Sequence, residues 1–345
     1  MISAPDLEST RSCLADWFEL CAIFSQHGSG RSDIASVARL ESNDDRELQR
    51  DDGELLEAGI LEIDLEENLD RVAEEIDFRR HAMNGMYPFE ATREPFRLTL
   101  RREVEKLNDA GCVYLFLLIL SAARDGHLPQ SEALKKLVAE GRVLFHACAS
   151  IGVAGLLENG KAVWFGFPRP DKTAYLTALA ELCKKLGCGR AKEDVPPGLS
   201  RSPKDEQVDV VGWRGFRDKR NGNLLVLCQA ATGRDWTDKS ILPRVGGFRF
   251  WFEQEPYALA AGAIAIPFPA HHEVHEHEHG FAQSRHNAMH LAHMTLGVLI
   301  DRVRIVESVH DILESGRSLD GIDGISHLPK LREWVGQAVS AIKVA

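Results

Sequence analysis

Asp209 stands in an apolar run, residues 207–213, and Gln229 stands in a second one, residues 224–231. Each places a polar side chain where a strand core has no use for it, and a buried polar group without a partner costs about 1–3 kcal/mol. Between the runs lie Asn221, Gly222 and Asn223, the composition of a tight turn joining antiparallel strands. Side chains alternate along a strand. That groups Asp209 with Val211 on one face, and Leu225, Leu227, Gln229 and Ala231 on one face of the neighbour. Antiparallel pairing lets Asp209 and Gln229 converge, and a divalent cation would satisfy both oxygens. The structural rivals are an ion pair from Asp209 to Arg214 or Arg217, and a backbone bond to Gln229.

A second concentration of chemistry is histidine: eight of the fourteen lie between His271 and His293. His275, Glu276 and His279 formally match the zinc-protease spacing, but that spacing works only on a buried helix aiming both rings at one ion. Pro267, Pro269 and Gly280 flank the run and no apolar stripe accompanies it, so residues 271–279 read as a solvated loop. His286, His290 and His293 share a helix face and read as lining a groove. His146, on an apolar helix face, reads as a core histidine.

The elements that must position Asp209 and Gln229 follow from periodicity. A helix is expected over 132–157, a strand over 161–167 ended by Pro168 and Pro170, and a helix over 172–186 stopped by Gly187 and Gly189. A loop covers 195–203, the hairpin covers 208–216 and 224–231, and further strands are expected at 247–252, 261–268 and 297–306. The first third reads as helical, with Leu14, Phe18 and Cys21 at helical spacing, an exposed amphipathic helix over 61–78 and a helix over 113–120 apolar on every face. Residues 25–52 read as a loop.

At 345 residues, 44% hydrophobic and 27% charged, the chain has the composition of a folded protein with two units. The expected division is an acidic helical domain, residues 1–130, for scaffolding or partner contact, and an α/β domain, residues 131–345. Seven cysteines, an odd number lying mostly in apolar runs, read as reduced core thiols. The run at 112–120 is short of the ~18 residues that a membrane span needs, and the acidic start is no signal peptide, so a cytoplasmic protein is expected.

The net charge of -11 is unevenly spread. Residues 1–100 hold 23 acids and 10 bases, and the rest hold 29 and 31. Residues 200–250 turn basic, with ten Lys or Arg against six acids. Arg214, Arg217, Lys219 and Arg220 fall around the hairpin turn, where a basic stripe could track a phosphate backbone.

Residues 132–306 resemble the core of the PD-(D/E)xK nuclease superfamily: helix, three strands, helix, strand, with an acid on the second strand and an acid-x-Lys on the third. The resemblance implies a restriction-endonuclease-like mixed sheet flanked by helices. Asp209 matches the second-strand acid, Gln229 takes the third-strand acid position, and Ala231 stands where lysine is usual. Lys239, on the first turn of a following helix, would return the ammonium. By this resemblance Asp209, Gln229 and the Ala230 carbonyl hold Mg²⁺ (or Mn²⁺), and Lys239 positions the attacking water. The leading helix, which often adds a glutamate, offers His146, with Glu140 earlier. The implied function is a metal-dependent DNA endonuclease in a bacterial restriction or anti-phage defence system. With no phosphate-cradling glycine loop in the sequence, any ATP-driven step falls to an ATPase or helicase partner. The alternative is an inactive nuclease-like module that binds DNA or protein.

Overall fold

A computed structural model describes residues 2–5, 9–25, 27–30, 32–33, 54–93, 96–158, 160–199, 204, 206–218, 220, 222–270 and 281–344. Lys219 and the histidine run 271–279 lie outside the described residues, as does most of the expected loop 25–52.

The chain divides into two compact units, residues 1–138 with 333–345, and residues 139–332. The expected boundary at 130/131 therefore moves into a helix, and the C-terminal segment belongs with the first unit rather than the second.

In the first unit, α1 (Arg11–Phe24) begins at Thr10, whose side chain accepts from the Cys13 N–H. Helix α2 (Glu54–Ala82) follows. Three short strands, β1 (Ser29–Gly30), β2 (Phe89–Arg93) and β3 (Phe96–Leu100), form an antiparallel sheet in the order β1-β3-β2. Helix α3 (Asp109–Asp125) starts on Asn108, which accepts from the Gly111 N–H, and ends on Gly126 in the left-handed region. Its residues 110–122 are buried on every side, as their uniform apolarity requires.

Helix α4 (Glu132–Leu156) leads into the second unit. It is the one described helix long and apolar enough to cross a membrane, but 61% of its most apolar window is buried within the fold, which is compatible with a soluble protein.

The second unit is mixed α/β. Its five-stranded sheet runs β10-β9-β7-β6-β4 and is made of β4 (Lys161–Trp164), β6 (Val210–Arg214), β7 (Asn223–Ala230), β9 (Tyr257–Ala265) and β10 (Val298–Ile300). The pairs β4/β6 and β6/β7 are antiparallel, whereas β7/β9 and β9/β10 are parallel. Helix α5 (Tyr175–Leu186) and the pair β5 (Arg190–Ala191) and β8 (Phe252–Gln254) complete one side. There Val211, Trp213, Leu225 and Leu227 pack with Tyr175, Leu179, Leu182 and Trp251. On the other face α4 crosses β6 at Gly212, where a Cβ would lie 2.2 Å from Val153 Cγ1; only glycine permits that approach.

Two expected strands are corrected. Residues 247–252 close α6 (Leu242–Gly247) and form a 3-10 turn, Phe248–Trp251, before β8 begins; Pro243 at the helix start supplied that signal. In 297–306 only Val298–Ile300 is strand, because Asp301 caps α8 (Arg302–Glu314) by accepting from the Arg304 N–H at 3.2 Å. Helices α7 (Phe281–Leu296) and α9 (Leu328–Val344) complete the chain. On α7, His286, His290 and His293 are exposed.

Candidate functional site

The hairpin places Val210 opposite Cys228 and Arg214 opposite Leu224. Continuing that register by one pair brings Asp209 level with Gln229, at the ends of β6 and β7 away from the turn. Asp209 precedes the first residue of β6, where alternation no longer dictates direction. Its carbonyl accepts from the Phe165 N–H at 2.8 Å and the Gly166 N–H at 2.7 Å, tying it to the end of β4. Its carboxylate is fixed on both oxygens: Oδ2 accepts from the Ala230 N–H at 2.8 Å, and Oδ1 lies 3.2 Å from His146 Nε2 on α4. Both side chains are about one-eighth exposed.

Three contacts fix the His146 ring. Nδ1 lies 2.7 Å from the Val143 carbonyl, its centroid is 5.1 Å from that of Trp164 with the rings 14° from parallel, and Gly166 leaves no room on the third side. A Cβ on Gly166 would sit 2.5 Å from Asp209 Oδ1 and 3.0 Å from His146 Cδ2. A carbonyl oxygen only accepts, so Nδ1 carries the ring proton. In the neutral ring Nε2 then points a lone pair at Asp209 Oδ1, itself an acceptor. Two acceptors 3.2 Å apart need a positive charge between them, either a proton or a cation.

Gln229 is the second polar residue at this end of the hairpin. Its Oε1 is buried, and none of the described residues hydrogen-bonds to it. The backbone bond that would have explained Gln229 structurally is therefore not made at this atom. Asp209 is likewise not paired with Arg214, which bonds the Leu157 carbonyl and Glu158 instead, nor with exposed Arg217. Asp209 Oδ1 and His146 Nε2 meet on the α4 side of the sheet, whereas strand alternation puts the Gln229 side chain with Leu225 and Leu227 on the other face, so the convergence of Asp209 and Gln229 side chains expected from the sequence is not seen.

Other expected residues fall elsewhere. Lys239 caps a 3-10 turn, Trp236–Asp238, rather than opening a helix, and its ammonium lies 3.1 Å from Asp235, whose carboxyl that bond holds below its usual range. Among the described residues, His146 is the one basic side chain within ion-pair distance of Asp209. Ala231, which the resemblance set where a lysine would stand, is buried in the apolar cluster with Ile264, Ile266 and Phe268. Arg214, Arg217 and Arg220 lie at the turn end of the hairpin. At about 3.4 Å per residue, the five residues of β6 put them roughly 17 Å from Asp209. Trp164, Val143 and Gly166, which orient His146, carry no motif in the sequence; His146 itself, on the helix leading into the first strand, is the one signal there.

No protein-family model, curated protein or solved structure matches the chain.

Proposed function

We propose that the chain is a metal-dependent DNA endonuclease of PD-(D/E)xK type, cytoplasmic, and one component of a bacterial restriction or anti-phage defence system. The carrying observation is the contact at 3.2 Å between Asp209, at the end of β6, and His146 of α4; Gln229, whose buried Oε1 has no hydrogen bond from a described residue, stands one backbone pair beyond Val210 and Cys228. With α5 and β5 inserted between β4 and β6, and β8 between α6 and β9, the order α4, β4, β6, β7, α6, β9 follows the helix, three strands, helix, strand arrangement of that superfamily, which supports the reading.

Asp209 and the Ala230 carbonyl would hold Mg²⁺ or Mn²⁺, with His146 as a further ligand. Such an ion supplies Lewis-acid polarisation of the scissile phosphate and lowers the pKa of the attacking water. The chain's own part is placement. Val143 and Trp164 orient the imidazole, Ala230 N–H orients the carboxylate, and Gly166 lets the two approach. Exposed Arg217 and Arg220 would meet the backbone of a duplex at a distance from the cleavage point, so they serve affinity rather than chemistry. ATP-driven movement along DNA would come from a partner ATPase or helicase.

Incubating plasmid DNA with the purified chain, in Mg²⁺ or Mn²⁺ and in EDTA, tests the reading. Cleavage that needs the ion and is lost in Asp209→Asn is expected. A second reading, a nuclease-like module that binds DNA without cutting it, draws on the burial of Ala231 and the engagement of Lys239 by Asp235. Ion-independent binding with no cleavage under any condition or partner would favour it.

A further inference from the structure

Three metal-ligating side chains of the N-terminal unit meet well away in sequence from Asp209. Cys13 lies in the first turn of α1. Helix α3 ends at Asp125; Gly126, at φ 88°, reverses the chain, and the His127 N–H bonds back to the Ala122 carbonyl at 3.0 Å. That turn sets His127 Nε2 2.9 Å from Cys13 Sγ, across 114 residues of sequence. One ligand atom from each of Cys13, Asp125 and His127 lies within 4.8 Å of the other two.

The surroundings suit an ion. Arg124 grips Asp125 through a fork, Nε to Oδ1 at 2.7 Å and Nη2 to Oδ2 at 2.8 Å, which fixes the carboxylate in one orientation. A carboxylate offers about four lone-pair sites, so the fork leaves room for a metal bond and acts as an outer-sphere clamp. His127 is 5% exposed, and burial favours its neutral form, the form that ligates. Burial, with the nearby Asp125 and Asp16 carboxylates, pushes the Cys13 thiol up to about 12, so in the metal-free protein the sulfur keeps its proton.

We propose that Cys13, Asp125 and His127 bind a thiophilic divalent ion, zinc, that fastens the start of α1 to the end of α3. One sulfur, one nitrogen and one oxygen donor, with water in the fourth position, meet zinc's four-coordinate habit, whereas a thiolate with an imidazole disfavours Mg²⁺. Binding forms the sulfur–zinc bond, breaks the S–H bond and releases the thiol proton to solvent; no electron is transferred. The site is independent of the nuclease reading, since it shares no residue with the Asp209 centre.

Cobalt titration of the full chain after treatment with a chelator tests it. A sulfur-to-cobalt charge-transfer band that saturates at one equivalent and is displaced by zinc is expected. The Cys228 thiol lies close enough to Asp209 to feel its carboxylate, so a band from cobalt at that centre would survive in Cys13→Ser and is distinguished by that variant. Cys13→Ser should lose the band, and Arg124→Gln should weaken binding about 10- to 100-fold, as loss of an outer-sphere partner does. If Cys13→Ser fails to fold, alkylation of the wild type decides: zinc should protect Cys13 and leave Cys21, on the same helix, reactive as before. A folded wild type without the band, a band retained in Cys13→Ser, or Cys13 alkylation unchanged by zinc would each overturn the proposal.

Discussion

In the N-terminal unit Arg79 is fully buried among Asp16, Glu19 and Glu75, at 2.7, 2.8 and 2.8 Å, with Tyr87 and Tyr114 donating to Glu19. In the α/β unit Gln229 Oε1 is buried with no hydrogen bond from any described residue, and Asp209 faces His146 with a positive charge required between them. Both sites take polar groups out of water. In the first the chain itself supplies the compensating charge: burial alone would lower Arg79, but Glu19, with Tyr114, Asp16 and Glu75, more than offsets it and holds the guanidinium charged. In the second, Asp209 has His146 and the Ala230 N–H, but Gln229 Oε1 is left without a donor among the described residues. A closed polar network joins α1, α2 and α3 and serves stability; an open one serves binding.

The largest effect expected from breaking this contrast is on folding. Arg79→Met leaves three buried carboxylates facing one another, and loss of one partner from such a cluster costs about 3–5 kcal/mol. Urea unfolding of the full chain should show that loss, with nuclease activity falling only as the protein unfolds. A variant as stable as the wild type would show that the cluster is no structural keystone.

Asp209→Asn should behave in the opposite way. The asparagine Oδ1 still accepts from the Ala230 N–H, and its Nδ2 donates to the His146 lone pair, so stability should stay within about 1 kcal/mol. Cleavage should disappear. Undiminished cleavage by the folded variant would remove the ion from Asp209, and a large loss of stability would return Asp209 to a structural role.

How far this contrast could be read in the sequence depends on local signals. The hairpin was legible because Asn221 and Gly222 mark the turn and two apolar runs flank it, whereas the turning of the Asp209 carboxylate toward α4 was not, because Asp209 precedes β6 and escapes its alternation. Helix α3 was legible from its uniform apolarity and α4 from its length and periodicity. The segment 301–306 was misread because Val303, Ile305 and Val306 suit a strand as well as a helix, and only the cap at Asp301 decides between them. The Arg79 cluster was invisible: Asp16, Glu19, Glu75 and Arg79 look like the solvated charges of amphipathic helices until three helices converge on them. His146 needed the stacking of Trp164 and the bare backbone of Gly166, neither of which has a sequence period.

A smaller effect sharpens the geometry of the open site. Gly166→Ala inserts a methyl 2.5 Å from Asp209 Oδ1 and 2.9 Å from its Cα, so the carboxylate and the backbone that carries it must shift. Misplacement by about 1 Å can cost 10²-fold in rate. The expected result is a loss of that order in turnover with DNA binding retained. Full activity would mean that the carboxylate does not need its present distance from His146.

The smallest effect is expected at Lys239, where sequence resemblance placed the catalytic ammonium. Its Nζ lies 3.1 Å from Asp235, four residues back in the chain, and its side chain is one-third exposed. An exposed pair of this kind contributes little to stability, and Lys239 makes no ion pair with Asp209. Lys239→Ala should therefore cleave within a few-fold of wild type, and should weaken DNA binding no more than Arg217→Ala or Arg220→Ala, whose salt dependence reports phosphate contacts. Loss of a cation that meets developing phosphate charge would instead cost about 10²- to 10³-fold. A drop of that size with binding intact would mean that DNA draws the ammonium off Asp235 to the reaction centre. Ala231→Lys combined with Lys239→Ala would then be the variant to restore activity, provided the buried position of Ala231 accepts the longer side chain.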